Sequence, residues 1–201
     1  MESTSAVNSK PQPSPFFRWM VLVVISLAMF GNYYVYDSIA PIADMLKESL
    51  NFSDENIGQL YSVYSIAAVI VLLLGGIIVD KYGTKKSTLF FGTLCSIAAV
   101  LTWATDDLNI MLAGRILLGI GAEPLIVAIT TALAKWLKGK ELSFAFGINL
   151  TIARLGSVAA DNSPSWGSTF YTNWQDPLFL AVIIGLACVI GGVLYWVLES
   201  F

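Results

Sequence analysis

The stretch that decides the fold is a short polar hairpin between two long apolar runs, and it reads GGIIVDKYGTKK over residues 75–86. The two glycines permit close packing at the end of one helix, Gly83 permits a turn, and the lysines open the next helix. An ordinary hairpin on the cytoplasmic side of a membrane would explain the lysines. It would not explain the spacing of Gly76, Asp80 and Gly83, which indicates a specific motif between two membrane-spanning helices.

The composition excludes a water-soluble domain. Of the 201 residues, 56% are hydrophobic and 12% are charged, whereas a soluble domain carries roughly 25% charged residues. Histidine is absent, which excludes catalysis or metal binding by an imidazole. The net charge is −3, so the chain has no overall positive potential to attract nucleic acid. Cys95 and Cys188 both lie in apolar runs, where a thiol usually packs as a small hydrophobe. The composition predicts an integral membrane protein, not an enzyme, with no metal site, no cofactor and no nucleic-acid partner.

Six apolar runs are long enough to cross a bilayer, which takes about 20 residues each. They cover residues 16–39, 57–79, 88–104, 110–136, 142–160 and 178–198. The fold class is therefore an all-α membrane protein with six transmembrane helices in residues 16–201. Residues 1–15 form a polar, proline-containing tail, for which we predict disorder. The outer loop at residues 43–55 is amphipathic and predicts a short interfacial turn or helix.

Basic residues predict the orientation of these spans. One side of the predicted bundle carries eight of them, namely Lys10, Arg18, Lys81, Lys85, Lys86, Lys135, Lys138 and Lys140. The opposite side carries Lys47 among several acids. Because lysine and arginine concentrate on the cytoplasmic side, we predict a multi-pass protein with both termini in the cytoplasm.

Two motifs resemble those of the major facilitator superfamily. Residues 76–86 resemble its signature G-x-x-x-D-(R/K)-x-G-x-(R/K)-(R/K), and GRILLGIGAE at residues 114–123 resembles its R-x-x-x-G-x-G motif. The resemblance implies conformational roles for Gly76, Asp80, Lys81, Gly83, Lys85, Arg115, Gly119 and Gly121. It also implies the amino-terminal half of a twelve-helix fold, built from 3+3 inverted repeats. The expected partners are the bilayer and a missing carboxy-terminal half, without which the chain should not transport.

Longer stretches resemble one branch of that superfamily, the lysosomal dipeptide transporters. They are YYVYD at 33–37, GIGAE at 119–123, WLKGKEL at 136–142 and ARLGS at 153–157. The drug–proton antiporters of the superfamily carry a glycine–proline signature in the fifth span, whereas residues 147–157 contain no proline, which disfavours that branch. Residues 1–18 contain no acidic dileucine signal. A plasma-membrane and a lysosomal location therefore both stay open.

Two opposite charges lie at matched depth in the predicted bundle. Glu123 and Arg154 are equidistant in sequence from the link at residues 138–139. At a rise of 1.5 Å per residue, both lie about 20 Å from the inner end. They can form an ion pair that locks two adjacent helices, or they can hold the two ends of a zwitterionic substrate. By the same count of residues from this link, Arg115 lies farther from the inner end and nearer the outer surface of the membrane.

Other polar side chains predict a cavity lined by helices one, two, four and five. The remaining candidate substrate contacts are Asn32, Tyr33, Tyr36, Asp37 and Tyr64. Tyr61 and Tyr64 can equally be aromatic-belt residues at the membrane interface. Asp37 lies near the end of a span without an obvious basic partner, so it either adds polarity to the cavity or accepts a proton.

These observations predict transport of small polar solutes by alternating access, with dipeptides as the leading substrate. One alternative is a proton-coupled transporter of another small organic anion or zwitterion. The other is a membrane subunit that resembles a transporter without transporting. Protons and an accessory membrane subunit are the remaining candidate partners.

Overall fold

The structure, a computed structural model, describes residues 14–167 and 171–200. Its helices are α1 (Pro15–Asp37), α2 (Ala43–Leu50), α3 (Asp54–Trp103), α4 (Leu108–Trp136), α5 (Lys140–Asn162) and α6 (Gln175–Leu198). Short 3₁₀ turns at Ala40–Ile42 and Ser163–Trp166 precede α2 and follow α5. Within these described residues, five helical stretches are long and apolar enough to cross a membrane. The tail predicted to be disordered covers residues 1–15, of which residues 1–13 lie outside the described residues. Its last residue, Pro15, is instead the first residue of α1.

Helix α3 contains both the second and the third predicted span. Its 50 residues are interrupted at Gly83, where φ is 81° and ψ is 160°. Only glycine adopts this conformation readily, because a side chain strains the local backbone in this region of φ and ψ. We call residues 54–82 the first arm of α3 and residues 84–103 the second arm. The sequence predicts a longer link between these spans, but one glycine suffices.

The two arms pack against α4 in opposite directions. Along the first arm, the Leu60 carbonyl accepts a hydrogen bond from Arg115 Nε at 3.2 Å. Further along the same arm, a β-carbon at Gly75 would lie 3.0 Å from Pro124. Both the first arm and α4 advance along the chain between these two contacts, so they run parallel.

The second arm runs antiparallel to α4. A β-carbon at Gly114 would lie 2.7 Å from Thr102 Oγ1, near the end of the arm. A β-carbon at Gly121 would lie 3.1 Å from Leu94, earlier in the arm. The chain therefore reverses at Gly83, and α3 supplies two of the six predicted membrane-spanning segments. We call this end of the bundle the hairpin end and the opposite end the α2 end.

Helix α5 packs mainly against α1. The Asn149 amide donates to the Ser26 hydroxyl at 2.9 Å, and both side chains are buried. A β-carbon at Gly156 would lie 2.4 Å from the Phe30 carbonyl oxygen. Helix α4 contacts α5 much less than α1 does. The expectation of two closely packed neighbouring helices is therefore met only weakly, because small and polar residues pack α5 onto α1.

The loop predicted to be amphipathic forms α2, which confirms that expectation. Lys47 of α2 pairs with Asp44 at 2.7 Å and with Asp54 at 3.0 Å. On the opposite face, Leu46 is fully buried in an apolar cluster with Leu60 and Met111. The α2 end of the bundle is therefore closed by an ordered cap on α3 and α4.

Candidate functional site

A polar cavity of about 220 Å³ lies between α1, the first arm of α3, α4 and α5. It is lined by Asn32, Tyr33, Tyr36, Tyr64, Glu123, Ile126 and Arg154. Six of these seven are residues that the sequence predicts as substrate contacts. Ile126 is missed because an apolar residue in an apolar helix carries no sequence signal.

Helical spacing explains how these side chains meet. Asn32, Tyr33 and Tyr36 occupy one face of α1, because residues four apart lie one above the other on a helix. Glu123 and Ile126 are three residues apart on α4 and share a face for the same reason. The four segments that line the cavity are the four that the sequence predicts.

Glu123 and Arg154 share the cavity without a direct ion pair. The Tyr64 hydroxyl donates to Glu123 Oε1 at 3.2 Å. The Arg154 guanidinium carbon lies 5.1 Å from the centroid of the Tyr33 ring, within the range of a cation–π contact. Within residues 14–167 and 171–200, no ion pair of 4.0 Å or less includes either charge. In this conformation, both charges therefore remain free to contact a third group.

Asn32 adds an unpaired acceptor to the same cavity. The residue is only 3% exposed, and its Oδ1 has no hydrogen-bond partner in the structure. A buried polar atom left without a partner costs about 1–3 kcal/mol. A polar ligand in the cavity would remove this cost.

Asp37 differs from the other predicted contacts. It is the last residue of α1 and is half-buried. It does not belong to the residues that line the cavity. Its predicted role as a substrate contact or proton acceptor stays a prediction without direct geometric support.

Arg115 is a buried clamp at the α2 end of the bundle. The residue is 1% exposed. Its guanidinium donates to the carbonyls of Leu60 at 3.2 Å, Val35 at 3.3 Å and Tyr36 at 2.9 Å. The last two carbonyls belong to the final turn of α1, where carbonyls lack helical partners and the helix dipole is negative. Arg115 therefore ties the ends of α1 and of the first arm to α4.

Three tyrosine rings surround the same guanidinium. The centroids of Tyr36, Tyr61 and Tyr64 lie 5.3, 5.2 and 5.6 Å from its central carbon. Tyr36 and Tyr64 also line the cavity, so these two rings connect Arg115 to the candidate site. The aromatic-belt interpretation therefore does not describe Tyr64, whose ring is buried and whose hydroxyl contacts Glu123.

The two glycines of the second motif are packing residues. A β-carbon at Gly119 would lie 2.5 Å from the Tyr64 carbonyl oxygen, and one at Gly121 would lie 3.0 Å from Cys95 Sγ. Both distances are shorter than a van der Waals contact allows. These glycines therefore let both arms of α3 approach α4, as expected for small residues between membrane helices.

Several residues of the hairpin motif make fewer contacts with other helices of this bundle than the motif suggests. Asp80 is exposed and takes part in no ion pair of 4.0 Å or less among the described residues. Lys81 is also exposed, with its Nζ 5.4 Å from the centroid of the Tyr82 ring. A β-carbon at Gly76 would meet no atom within 4 Å, whereas Gly75 contacts Pro124. Gly75, not Gly76, is the packing glycine inside this bundle.

Lys85 instead contacts α6. Its Nζ hydrogen-bonds to the Ser200 hydroxyl and lies 4.6 Å from the centroid of the Trp196 ring. Beside it, Glu199 accepts a hydrogen bond from Thr84 Oγ1 at 3.2 Å and forms an ion pair with Lys135. These contacts join the second arm, α4 and α6 at the hairpin end.

Glu141 forms the other ion pair at this end, with Arg18 at 2.7 Å, and it joins α1 to α5. Sequence reasoning missed the roles of Glu141 and Glu199. Their position in the sequence could have identified them, because both are acidic residues among the lysines of the predicted basic side.

Comparisons with known proteins agree with the two motifs. The family model described as Major Facilitator Superfamily matches residues 25–200. The chain is 34% identical over 153 residues to the lysosomal dipeptide transporter MFSD1 of Danio rerio, covering 74% of this chain and 33% of the relative. It is 31% identical over 182 residues to MFSD1 of Homo sapiens, covering 88% and 38%.

A bacterial relative has a different named substrate. The probable sulfoacetate transporter SauU of Cupriavidus necator is 30% identical over 141 residues, covering 70% of this chain and 33% of the relative. The chain thus spans little more than a third of the length of these curated relatives. Because the family model matches most of the chain and the bundle is all-helical, the chain belongs to the Major Facilitator Superfamily.

Proposed function

We propose that the full-length protein is an alternating-access transporter whose cavity binds a small zwitterion, with dipeptides as the leading substrate. The observation that carries this proposal is the pair of unpaired opposite charges in one cavity. Glu123 would accept hydrogen bonds from the substrate ammonium, and Arg154 would donate to its carboxylate. Charge-assisted hydrogen bonds of this kind are the stronger class, and arginine can bind a carboxylate through two of them.

The neutral polar groups support the same assignment. Asn32 offers a buried amide oxygen without a partner, which can accept from a substrate N–H. Tyr64 already donates to Glu123, which keeps that carboxylate oriented toward the cavity. A peptide bond between two charged termini supplies both a donor and an acceptor. The cavity therefore offers an acceptor for the peptide N–H in addition to the two charges for the termini.

The relatives support dipeptides first and organic anions second. Several relatives are named lysosomal dipeptide transporters, which supports a dipeptide substrate and a lysosomal location. The relative named for sulfoacetate supports an organic anion instead. Such an anion would use Arg154 and the tyrosines but would have no ammonium for Glu123. The two substrate classes therefore depend differently on Glu123.

The small volume of the cavity supports a site that is completed by a second helical bundle. At about 220 Å³, it is smaller than the roughly 300–1,000 Å³ of typical small-molecule sites. In many transporters, substrate binds near the midplane between two bundles that rock against each other. The relatives extend beyond the part that this chain matches, and we infer that the corresponding part of the full-length protein forms the other bundle. We also infer from the distribution of lysines that the hairpin end faces the cytoplasm.

Uptake by full-length protein in proteoliposomes tests the proposal. We expect Glu123→Gln to reduce uptake of a labelled dipeptide at least about tenfold, equivalent to about 1.4 kcal/mol. Arg154→Gln should reduce it similarly. Glu48→Gln removes the same charge from an exposed position on α2 and should leave uptake unchanged.

Sulfoacetate uptake distinguishes the alternative. If Arg154→Gln abolishes sulfoacetate uptake while Glu123→Gln does not, and dipeptides are not transported, the substrate is an organic anion. Absence of uptake for both substrates by well-folded protein would contradict transport and would favour a membrane subunit without transport activity.

A further inference from the structure

A second cavity, apart from the candidate site, lies beside the turn of α3. Its volume is about 510 Å³. Ile78 and Tyr82 line it from the end of the first arm, and Lys86, Ser87 and Phe90 line it from the start of the second arm. We call this cavity the hairpin groove. It separates the two arms at the polar end of the membrane-spanning bundle.

Ser87 places an unpaired hydroxyl in this groove. The residue is only 2% exposed, and its Oγ has no hydrogen-bond partner in the structure. A helical serine usually bonds to a backbone carbonyl one turn earlier, as Ser62 does with Gly58. Ser87 therefore holds a donor without a partner, and a rotation of its side chain would turn the hydroxyl to a ligand oxygen in the groove.

Lys86 places a cation next to that hydroxyl. Its side chain is exposed, and in the described part of the chain it forms no ion pair of 4.0 Å or less. Lys85, by contrast, points to α6, where it contacts Ser200 and Trp196. Lys86 is therefore available to an anion at the mouth of the groove.

The rest of the groove is apolar. Phe90 is 58% exposed, and Ile78 lines the groove from the first arm. Tyr82 is also exposed and carries a phenol at the polar end. A groove with an ammonium and a hydroxyl at one end and apolar side chains along its length matches an amphiphile with an anionic head.

We propose that the hairpin groove binds an anionic phospholipid of the leaflet that contacts it. The lipid phosphate lies between Lys86 Nζ and Ser87 Oγ, and an acyl chain packs along Ile78 and Phe90. Lysine distribution assigns this end to the cytoplasmic side, where anionic lipids attract basic residues by about 1 kcal/mol for each lysine near the surface. The proposal does not depend on which substrate the transporter carries.

Native mass spectrometry of the full-length protein tests this site. The protein is purified in detergent with equal amounts of phosphatidylglycerol and phosphatidylcholine. We expect wild type to retain phosphatidylglycerol preferentially. Lys86→Gln should reduce that retention about fivefold, which corresponds to about 1 kcal/mol, and Ser87→Ala should reduce it by a smaller factor. Lys138→Gln removes an exposed lysine from the α4–α5 link and should leave retention unchanged.

Photo-crosslinking locates the lipid. Phosphatidylglycerol with a diazirine on its acyl chain should label the peptide that contains residues 78–90. Excess glycerol phosphate should not prevent labelling, because it lacks the apolar chain. Equal retention of both lipids, equal effects of Lys86→Gln and Lys138→Gln, or displacement by glycerol phosphate would each overturn the proposal. Thermal unfolding of each variant checks that the fold is retained.

Discussion

At the scale of single residues, Tyr64 connects Glu123 in the candidate site to the Arg115 clamp at the α2 end. Its hydroxyl donates to Glu123 at 3.2 Å, and its ring lies 5.6 Å from the Arg115 guanidinium. The hydroxyl and the ring therefore serve different neighbours, so a substitution can separate their contributions.

Tyr64→Phe should weaken substrate binding, and its loss of stability should not exceed that of one hydrogen bond. It removes the hydrogen bond to Glu123 but keeps the ring beside Arg115. A typical net hydrogen bond contributes about 0.5–1.5 kcal/mol, so the substrate Kd should rise about two- to tenfold. Calorimetry on full-length protein measures this change. Tyr61→Phe is the matched control, since its ring also contacts Arg115 but does not line the cavity; an equal effect of both variants would contradict this role.

Arg115 should be required for stability, and lysine should not replace it. One ammonium on a flexible stem cannot reproduce the planar set of donors that reaches three carbonyls. Each hydrogen bond to a charged group is worth about 1.5–3 kcal/mol, so Arg115→Lys should destabilise the protein by at least about 2 kcal/mol. Thermal unfolding of full-length protein measures this loss. Arg154→Lys, at an exposed position, should unfold like wild type. If Arg115→Lys also unfolds like wild type, the three hydrogen bonds of Arg115 do not stabilise the bundle.

At the residue scale, the charges could be predicted and their partners could not. Glu123 and Arg154 are recognisable because an ionisable residue in an apolar run is costly and needs a reason. Arg115 is recognisable for the same reason. Its acceptors are backbone carbonyls of Val35, Tyr36 and Leu60, which every residue possesses, so no side-chain pattern marks them.

At the scale of elements, α3 shows how little sequence is needed to reverse a membrane helix. The helix continues on both sides of Gly83, whose φ of 81° and ψ of 160° are its one interruption. The polar hairpin predicts a turn at this place. The sequence does not predict that the turn is confined to one residue, because the neighbouring Lys81, Tyr82 and Thr84 are all compatible with a helix.

Gly83→Ala should destabilise the hairpin. A side chain in this backbone region costs about 1–3 kcal/mol, although a β-carbon here would meet no atom within 4 Å. Strain and not collision is therefore the expected cause. Gly58→Ala is the control, since Gly58 is helical and its β-carbon would also meet no atom within 4 Å. Thermal unfolding of full-length protein should separate the two variants, and equal unfolding temperatures would contradict the strain.

Helix neighbours were the least predictable aspect of the elements. Equal distance from the link at residues 138–139 correctly brings Glu123 and Arg154 to one cavity. It does not predict that α5 packs mainly against α1, because it contains no information on lateral packing. That packing depends on the small surface of Gly156 against Phe30 and on the bond between Asn149 and Ser26. Each of these contacts requires knowledge of both helices.

At the scale of the whole molecule, ion pairs at the hairpin end hold the bundle together. Arg18–Glu141 joins α1 to α5, and Lys135–Glu199 joins α4 to α6. The Arg115 clamp joins α1, the first arm and α4 at the α2 end. These contacts at both ends support our proposal that this bundle moves as one rigid body in alternating access.

The central claim is that Glu123 and Arg154 hold opposite ends of one zwitterion. It is tested most directly by the binding of a dipeptide and its N-acetylated form to full-length wild type and to Glu123→Gln. N-acetylation removes the substrate ammonium, so it should weaken binding to wild type at least about tenfold, equivalent to about 1.4 kcal/mol. It should have little effect on binding to Glu123→Gln, which has already lost the partner of that ammonium. If N-acetylation weakens binding to both proteins by the same factor, Glu123 does not contact the substrate ammonium and the account is wrong.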